Sequence, residues 1–433
     1  MRRLLLSLAL SLLPLFSFGQ AWSLDDCVSY AIVHNPEILH RQLQYDNQKE
    51  VLDEASSSRM PVVNLGIQET LHSGNTLLMY SVDENLTMSL TQLAATLEMP
   101  LLSGGSIPNT KNAELYTLKA SAENITVSKI NVRIRVAAAY LQLLNNASEE
   151  SIAQEQVELC KEELRNVEKL VSEGLRTNAD LAEVRSALSS AEHMYTAAKG
   201  NTIMAKVDLV NLIGLEDETG FEIEKLPENV EDTETVPLFP LLEDIDSHPS
   251  VLSAQYNLTS AEYRVKAAKG ALYPQLSLFA NYNNFICLPI GYKDFQIGSQ
   301  PGKNGWGALG LKLAIPILNL PANRRVSRAR LALNDAQVTL DESRKEIVRQ
   351  YREAYYKTLT AKDRYASAVR AESAARESYG YQRKMFDVGR STTYDLDQSR
   401  LKWFSASEEV VRSKHAYLLS NKILEYYTHY SEE

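Results

Sequence analysis

The sequence predicts an α+β membrane protein, built by tandem duplication, with four β-strands and long coiled-coil helices in each chain. Three observations predict this class: an internal repeat at an offset near 215 residues, apolar residues spaced three and four apart over long stretches, and Pro-flanked segments of alternating polarity. No stretch after the N-terminus is apolar enough for a transmembrane helix. If the chain enters a membrane, the alternating segments must therefore do so.

The N-terminus has the features of a signal peptide, which we assign to residues 1–19. Arg2 and Arg3 precede an apolar run from Leu4 to Phe18, and small residues come directly before Gln20. The run is too short for a membrane-spanning helix. Removal of this segment lowers the number of basic residues from 45 to 43 and the net charge from −10 to −12. This acidic balance argues against nucleic acid as a partner.

The repeat is clearest in one turn that the chain contains twice. The stretch SEGLRTNADL at 172–181 aligns with VGRSTTYDL at 388–396, so that both contain Gly-x-x-Thr-x-x-Asp-Leu at an offset of 215. Residues 20–213 and 246–430 therefore form two structural repeats, each with a helix, a strand pair and two long helices. Residues 214–245 are rich in Pro and acidic side chains and are predicted to be an acidic linker between the repeats.

The elements follow the same order in both repeats. The first helix is predicted at about 24–58 and again at 246–271. The β-hairpins are predicted at 60–102 and 273–318, with an exposed loop at 288–305. The long helices are predicted at 109–172 and 178–213, and then at 322–387 and 393–428. Their apolar seam includes Cys160, which is therefore expected to be a core residue and not a reactive thiol.

Strand polarity indicates which face would meet lipid. Leu309, Leu311 and Leu313 alternate with Gly310 and Lys312, which is the pattern of an outer-membrane strand. A sheet in a soluble protein shows the same alternation, but the signal peptide favours the membrane. Four strands cannot close a barrel, so the chain must associate if they lie in lipid. Two copies would supply eight strands and three would supply twelve, and the pattern leaves this number open.

The signal peptide, the tandem repeat, the Pro-flanked strand pairs, the long helices and the paired Gly-x-x-Thr-x-x-Asp-Leu turns together resemble the TolC-type outer membrane efflux proteins. The resemblance implies a homotrimer with a 12-stranded β-barrel in the outer membrane and an α-helical barrel in the periplasm. It also implies the function, an exit duct of a tripartite efflux or secretion system. The implied partners are a periplasmic adaptor protein, an inner-membrane efflux pump or ABC exporter, and outer membrane lipid.

In that family the two turns lie at the periplasmic end of the duct. The resemblance therefore makes Asp180, Glu183 and Asp395 candidates for a pore gate. An alternative role for both aspartates is helix capping, because Thr177 and Thr392 stand three residues before them. The sequence departs from some family members at Gln398, where they carry a second acid. This departure weakens the gate assignment.

The same resemblance assigns contact with the adaptor to the residues of the two turns. These residues are Gly174, Leu175, Arg176, Thr177, Gly389, Arg390, Ser391 and Thr392. Ordinary helix termination is the alternative for the two glycines.

Enzyme motifs are missing from the sequence, and we predict no catalytic residue, no cofactor and no bound metal. Neither Gly-x-Ser-x-Gly nor His-Glu-x-x-His occurs, and the three cysteines are widely spaced. A non-conducting periplasmic coiled-coil scaffold or tether remains the alternative function. The two amphipathic strand pairs favour the duct, because a tether has no use for them.

Overall fold

A computed structural model describes residues 21–78, 81–216, 220–224, 245–290, 298 and 300–428. The predicted signal peptide and most of the acidic linker lie outside these residues. The chain forms two compact units. Unit 1 contains the residues up to Leu43, Asn124–Ser250 and those from Arg344 onward, and unit 2 contains Gln44–Glu123 and Val251–Ser343. Both sequence repeats contribute to each unit.

The first predicted helix is in fact two helices, α1 (Leu24–His34) and α2 (Pro36–Ser57). The prediction of one helix over 24–58 was wrong because Pro36 forces Asn35 out of the helical conformation, to φ −67° and ψ 125°. The Asn35 amide occupies this break: its oxygen accepts from the Glu37 N–H at 2.9 Å and its nitrogen donates to the Leu212 carbonyl at 2.9 Å.

The second repeat has the same break at a histidine. A short 3₁₀ turn (Ile245–Ser247) precedes His248, and helix α5 then runs over Pro249–Gly270. The continuous helix predicted over 246–271 was therefore wrong for the same reason. His248 is buried, and its Nδ1 accepts from the Ser250 N–H at 3.2 Å. A neutral imidazole thus takes the place of the Asn35 amide.

The long helices are α3 (Ser106–Ser172), α4 (Asn178–Ile213), α7 (Leu320–Asp387) and α8 (Thr393–Thr428). Helices α3 and α7 have 67 and 68 residues, or about 100 Å each at 1.5 Å per residue. They begin three and two residues before the predicted starts, because Pro108 and Pro321 fall in the first turn, where proline is tolerated. None of the described helices is both long and apolar enough to cross a membrane.

The apolar faces of these helices form the core of unit 1. One cluster joins Cys27 and Ala31 of α1 to Val136 and Tyr140 of α3 and to Leu209 of α4. Further along α3, Cys160 is fully buried with Val157 and Ala191. Burial raises the pKa of the Cys160 thiol to about 11. The thiol therefore stays protonated at neutral pH, as expected for a core residue.

Unit 2 contains an antiparallel sheet of strands β1 (Val62–Leu78), β2 (Ser81–Ser103), β3 (Gln275–Pro289) and β4 (Trp306–Ala314), in that order. Its register aligns the apolar side chains of Val63, Leu97, Ala280 and Leu309 in one row across all four strands. The neighbouring row carries Asn64, Thr96, Asn281 and Ala308 and belongs to the opposite face. The sheet thus has one apolar face, with Leu309 and Leu311 exposed on β4.

The exposed loop predicted at 288–305 is shorter in the structure. Strand β3 continues to Pro289, and a short helix α6 covers Gln300–Lys303. The Gln300 side chain bonds to the backbone of Cys287 through both its oxygen (2.7 Å) and its nitrogen (2.9 Å), which holds α6 against β3. Residues 291–297 and 299 lie outside the described part of the chain.

Candidate functional site

The two repeated turns end α3 and α7 in the same way. Gly174 and Gly389 have φ values of 73° and 75°, which lie in the left-handed region that favours glycine. The N–H of Leu175 bonds to the Leu170 carbonyl at 2.8 Å, and that of Arg390 bonds to the Met385 carbonyl at 2.8 Å. These bonds form a Schellman motif at each helix end. The two glycines therefore have a structural role in helix termination.

Both aspartates cap the helix that follows the turn. The Thr177 hydroxyl donates to Asp180 at 2.8 Å, and the backbone N–H of Thr177 donates to the same carboxylate oxygen at 2.9 Å. These two bonds lower the pKa of Asp180. At the second turn, the Thr392 hydroxyl donates to Asp395 at 2.7 Å and accepts from its N–H at 3.1 Å. The capping geometry is thus present in both repeats.

The two aspartates differ in the use of their second oxygen. The hydroxyl of Thr393, which begins α8, contacts Asp180 Oδ1 at 3.3 Å and also contacts the Glu183 carboxylate. A single hydroxyl hydrogen donates to one of these carboxylates at a time. Among the described residues, Asp395 Oδ1 has no corresponding partner, and the Asp395 side chain is exposed. Asp395 therefore has a carboxylate oxygen free for another ligand.

A second link between the turns comes from Arg176. Its guanidinium donates to the carbonyls of Phe386 (3.3 Å) and Ser391 (3.2 Å) and lies over the Phe386 ring, 4.4 Å from its centroid. Ser391 is buried, and its hydroxyl accepts from Gln382 at 2.6 Å. Arg176 and Ser391 therefore hold the two turns together within one chain.

Other turn residues remain accessible. Leu175 is 67% exposed, and Arg390 is exposed as well. A Cβ atom added at either Gly174 or Gly389 would meet nothing within 4 Å. Of the residues predicted to contact an adaptor, these four are exposed. Thr177 and Thr392 are exposed as well, but their hydroxyls serve as helix caps.

The charged group buried beneath the turns was not predicted. Arg400 is 1% exposed and forms ion pairs with Glu163 of α3 and Asp397 of α8. Its counterpart in the first repeat, Arg185, has a side chain that is 60% exposed and pairs with Glu168 at 3.2 Å. At the repeat offset of 215, Arg185 and Arg400 are equivalent positions, but periodicity alone does not show which of them is buried.

An apolar cluster near this charged group joins the four long helices. Its buried members are Val167, Val184, Tyr379, Phe386 and Leu396. Its member Tyr379 stacks on Trp403 with ring centroids 5.2 Å apart, and the indole N–H of Trp403 donates to Glu372 at 2.9 Å. The packing of α3, α4, α7 and α8 therefore fixes the positions of both turns.

Comparison with known proteins agrees with this architecture. The chain belongs to the outer membrane efflux protein family, whose model matches residues 27–215 and 243–426. It is similar to the outer membrane protein TolC of Escherichia coli, with 22% identity over 97% of this chain and 85% of TolC. It is also similar to the outer membrane efflux protein BepC of Brucella suis, with 20% identity over 76% of this chain and 70% of BepC.

The fold is also found in solved structures. The Campylobacter jejuni CmeC outer membrane channel superimposes with a TM-score of 0.79 at 20% identity, over 95% of this chain and 87% of CmeC. The predictions of the family, of an outer membrane location with an extended periplasmic helical part, and of a role as an efflux channel are confirmed.

Proposed function

We propose that three copies of the chain close into one duct, whose twelve strands form a barrel in the outer membrane. The observation that carries this proposal is the sheet of unit 2. It has four strands, an exposed apolar face, and outer strands β1 and β4 that each have one neighbour within the described chain. Unpaired backbone groups in lipid cost several kcal/mol each, so further copies must pair with these edges.

The experiment combines a mass measurement with a conductance measurement. Native mass spectrometry of the detergent-extracted protein should give a trimer, and planar bilayers should show single-channel currents. A stable monomer or dimer would contradict the closure argument. A trimer without conductance would favour the scaffold function over the duct.

The exposed residues of the two turns are the proposed contact surface for a periplasmic adaptor, which would link the duct to an inner-membrane efflux pump or ABC exporter. Leu175 supports this proposal, because an apolar side chain that is 67% exposed at a helix turn is suited to burial by a partner. A photo-crosslinking residue at position 175 should capture the adaptor in cells, as identified by mass spectrometry. The same residue at Val33, which is 73% exposed in α1, is the control. Equal capture at both positions would count against the assignment.

The carboxylates of the turns are the proposed gate, with Asp395 as its principal residue. Its free carboxylate oxygen supports this role, whereas Asp180 and Glu183 are both in contact with Thr393. In a trimer, three Asp395 side chains would face a common axis. A narrow mouth lined by protein weakens the screening of their mutual repulsion.

A further inference from the structure

Helix α7 carries four arginines within its first eleven residues, at positions 324, 325, 328 and 330. All four side chains are exposed. None of them forms an ion pair or hydrogen bond with another described residue. The first turn of α7 contains no acidic residue, and cations are unfavourable near the positive end of a helix dipole. An anion would be stabilising at this end of the helix, but the described part of the chain supplies none to these charges.

The arginines follow directly after β4, and this inference rests on the proposed function, which places β4 in the membrane. Only five residues separate the end of β4 at Ala314 from the start of α7 at Leu320. The apolar side chains of this connection are strongly exposed, 97% for Ile317 and 79% for Leu318. Asn319 then begins the helix by accepting from the Ala322 N–H at 3.0 Å. The chain thus passes from the exposed leucines of β4, through exposed apolar residues, to unpaired arginines.

The spacing fits the polar layer of a bilayer. At 1.5 Å per residue, Arg324 lies about 6 Å and Arg330 about 15 Å along the helix from Leu320. The headgroup layer on each side of the hydrocarbon core is about 5–8 Å thick. Arginine side chains can extend back toward such a layer while their stems cover apolar surface. Arg324, Arg325 and Arg328 are therefore within reach of lipid phosphates on the periplasmic side.

The first repeat shows that the fold does not require this charge. The corresponding start of α3 contains one base, Lys111, and one acid, Glu114. That acid has partners within unit 2: it accepts from Gln48 at 2.8 Å and pairs with Arg264 at 3.5 Å. Two helices that leave the same sheet thus differ in charge, and the unpaired basic cluster is specific to the second repeat.

We propose that Arg324, Arg325 and Arg328 bind the phosphodiester headgroups of anionic glycerophospholipids in the periplasmic leaflet of the outer membrane. The guanidinium group donates two parallel hydrogen bonds to phosphate oxygens, and anionic headgroups supply the negative charge that this helix end favours. Electrostatic attraction to an anionic membrane surface contributes about a fivefold gain in binding for each arginine. The cluster fixes the depth at which α7 leaves the bilayer.

The test uses the full-length protein in detergent, with phosphatidylglycerol as the probe and native mass spectrometry as the measurement. Arg324 and Arg328 lie on one face of α7, and the variant R324Q/R328Q should bind phosphatidylglycerol about twenty-fivefold more weakly. The variant R324K/R328K keeps the charge and should stay within about threefold of the wild type. Phosphatidylcholine, which has no net charge, should bind equally weakly to all variants.

The matched control removes the same number of charges from the same helix, at positions more than twenty residues after the test positions. In R352Q/R370Q, two exposed arginines are neutralised and phosphatidylglycerol binding should be unchanged. Equal losses in the test and control variants, or no loss in R324Q/R328Q, would overturn the proposal. Displacement of phosphatidylglycerol by an equal concentration of inorganic phosphate would show that the site binds free phosphate and not lipid. The oligomer mass in the same spectra reports assembly separately, so failure of the trimer proposal would be recognised independently.

Discussion

Arg400 and Glu163 form an ion pair between α8 and α3, and the arginine side chain of this pair is 2% exposed. Asp397 supplies a second carboxylate to the same guanidinium. Burial raises the pKa of Glu163, although the neighbouring Arg400 opposes this shift. Two carboxylates and one guanidinium thus leave this buried group with excess negative charge when both acids are ionised. Arg400 therefore supplies the positive charge that compensates the carboxylates of Glu163 and Asp397.

Replacing Arg400 should therefore weaken the helical packing beneath the turns. Arg400→Gln leaves two carboxylates without their cation, and breaking a buried ion pair in this way costs about 3–5 kcal/mol. Hydrogen exchange of the α8 amides should detect the loss as a lower opening free energy. Arg185→Gln is the matched control, because its exposed pair contributes at most about 1 kcal/mol. Equal effects of the two substitutions would contradict the assigned difference in burial.

The break before α5 predicts a dependence of stability on pH. Burial lowers the pKa of His248 from 6.5 to about 4. The unfolded chain therefore binds the proton more readily than the folded chain, and stability is lost as the pH falls from 6.5 toward 4. Protonation also removes the lone pair that accepts from the Ser250 N–H. This difference in pKa corresponds to about 3 kcal/mol of folding stability, which is present at neutral pH and is fully lost once the pH falls below 4.

His248→Asn introduces the residue that the first repeat has at this break. Because an amide does not titrate in this range, the variant should lose the share of acid sensitivity that belongs to His248 while keeping the cap. Thermal unfolding at pH 7 and pH 4.5 measures this. His415, whose pKa is also lowered to about 4 by burial, should leave a residual dependence in the variant. If the difference in thermal stability between pH 7 and pH 4.5 is the same in the variant and the wild type, His248 does not contribute to the acid sensitivity.

The gate proposal predicts block by multivalent cations. Such ions, added on the periplasmic side of a planar bilayer, should reduce single-channel current, because one bound ion replaces several carboxylate repulsions with attractions. Asp395→Asn should raise the half-blocking concentration at least about tenfold, and Asp180→Asn should raise it less. Thr392→Ala is the control: it should cost about 1 kcal/mol of helix stability through loss of the cap and leave the block unchanged. Identical block in the wild type and in the double Asp180/Asp395 variant would show that both aspartates act only in helix capping.

The orientation of the sheet can be tested on β4. Leu311 is 62% exposed on the apolar face, and an arginine in its place should cost about 2–4 kcal/mol near the middle of the bilayer. Ala308, opposite Asn281 on the other face, is the control position for the same substitution. Folding into lipid vesicles should be impaired in Leu311→Arg and largely retained in Ala308→Arg. The reverse result would show that the face carrying Ala308, and not the face carrying Leu311, meets the lipid.

Local patterns allowed much of the helical structure to be predicted. Helix α4 shows why: Thr177 caps its start, and Gly214 ends it with φ 79°. Such signals depend on neighbouring residues and can be read directly from the sequence. Apolar spacing continues across Asn35 and by itself predicts one helix there, whereas Pro36 keeps the preceding residue out of the helical conformation.

Contacts between residues far apart in the sequence could not be predicted from local patterns. Thr393 contacts Asp180 and Glu183, which lie more than 200 positions earlier in the chain. The difference in burial between Arg185 and Arg400 arises from the same kind of packing, because each arginine occupies the same place in its own repeat. A repeat alignment treats Arg185 and Arg400 as equivalent, and only the arrangement of the four helices shows that one is exposed and the other buried.

The division of both repeats between two compact units has a consequence for biogenesis. Unit 2 needs Gln44–Glu123 together with Val251–Ser343, and unit 1 needs residues from Arg344 onward. A chain that emerges N-terminus first therefore presents its first hairpin long before the matching hairpin arrives. Such long-range pairing slows folding and prolongs the exposure of apolar strands to aggregation. Holding chaperones should be needed throughout synthesis, and two separately expressed repeats should become ordered only when they meet.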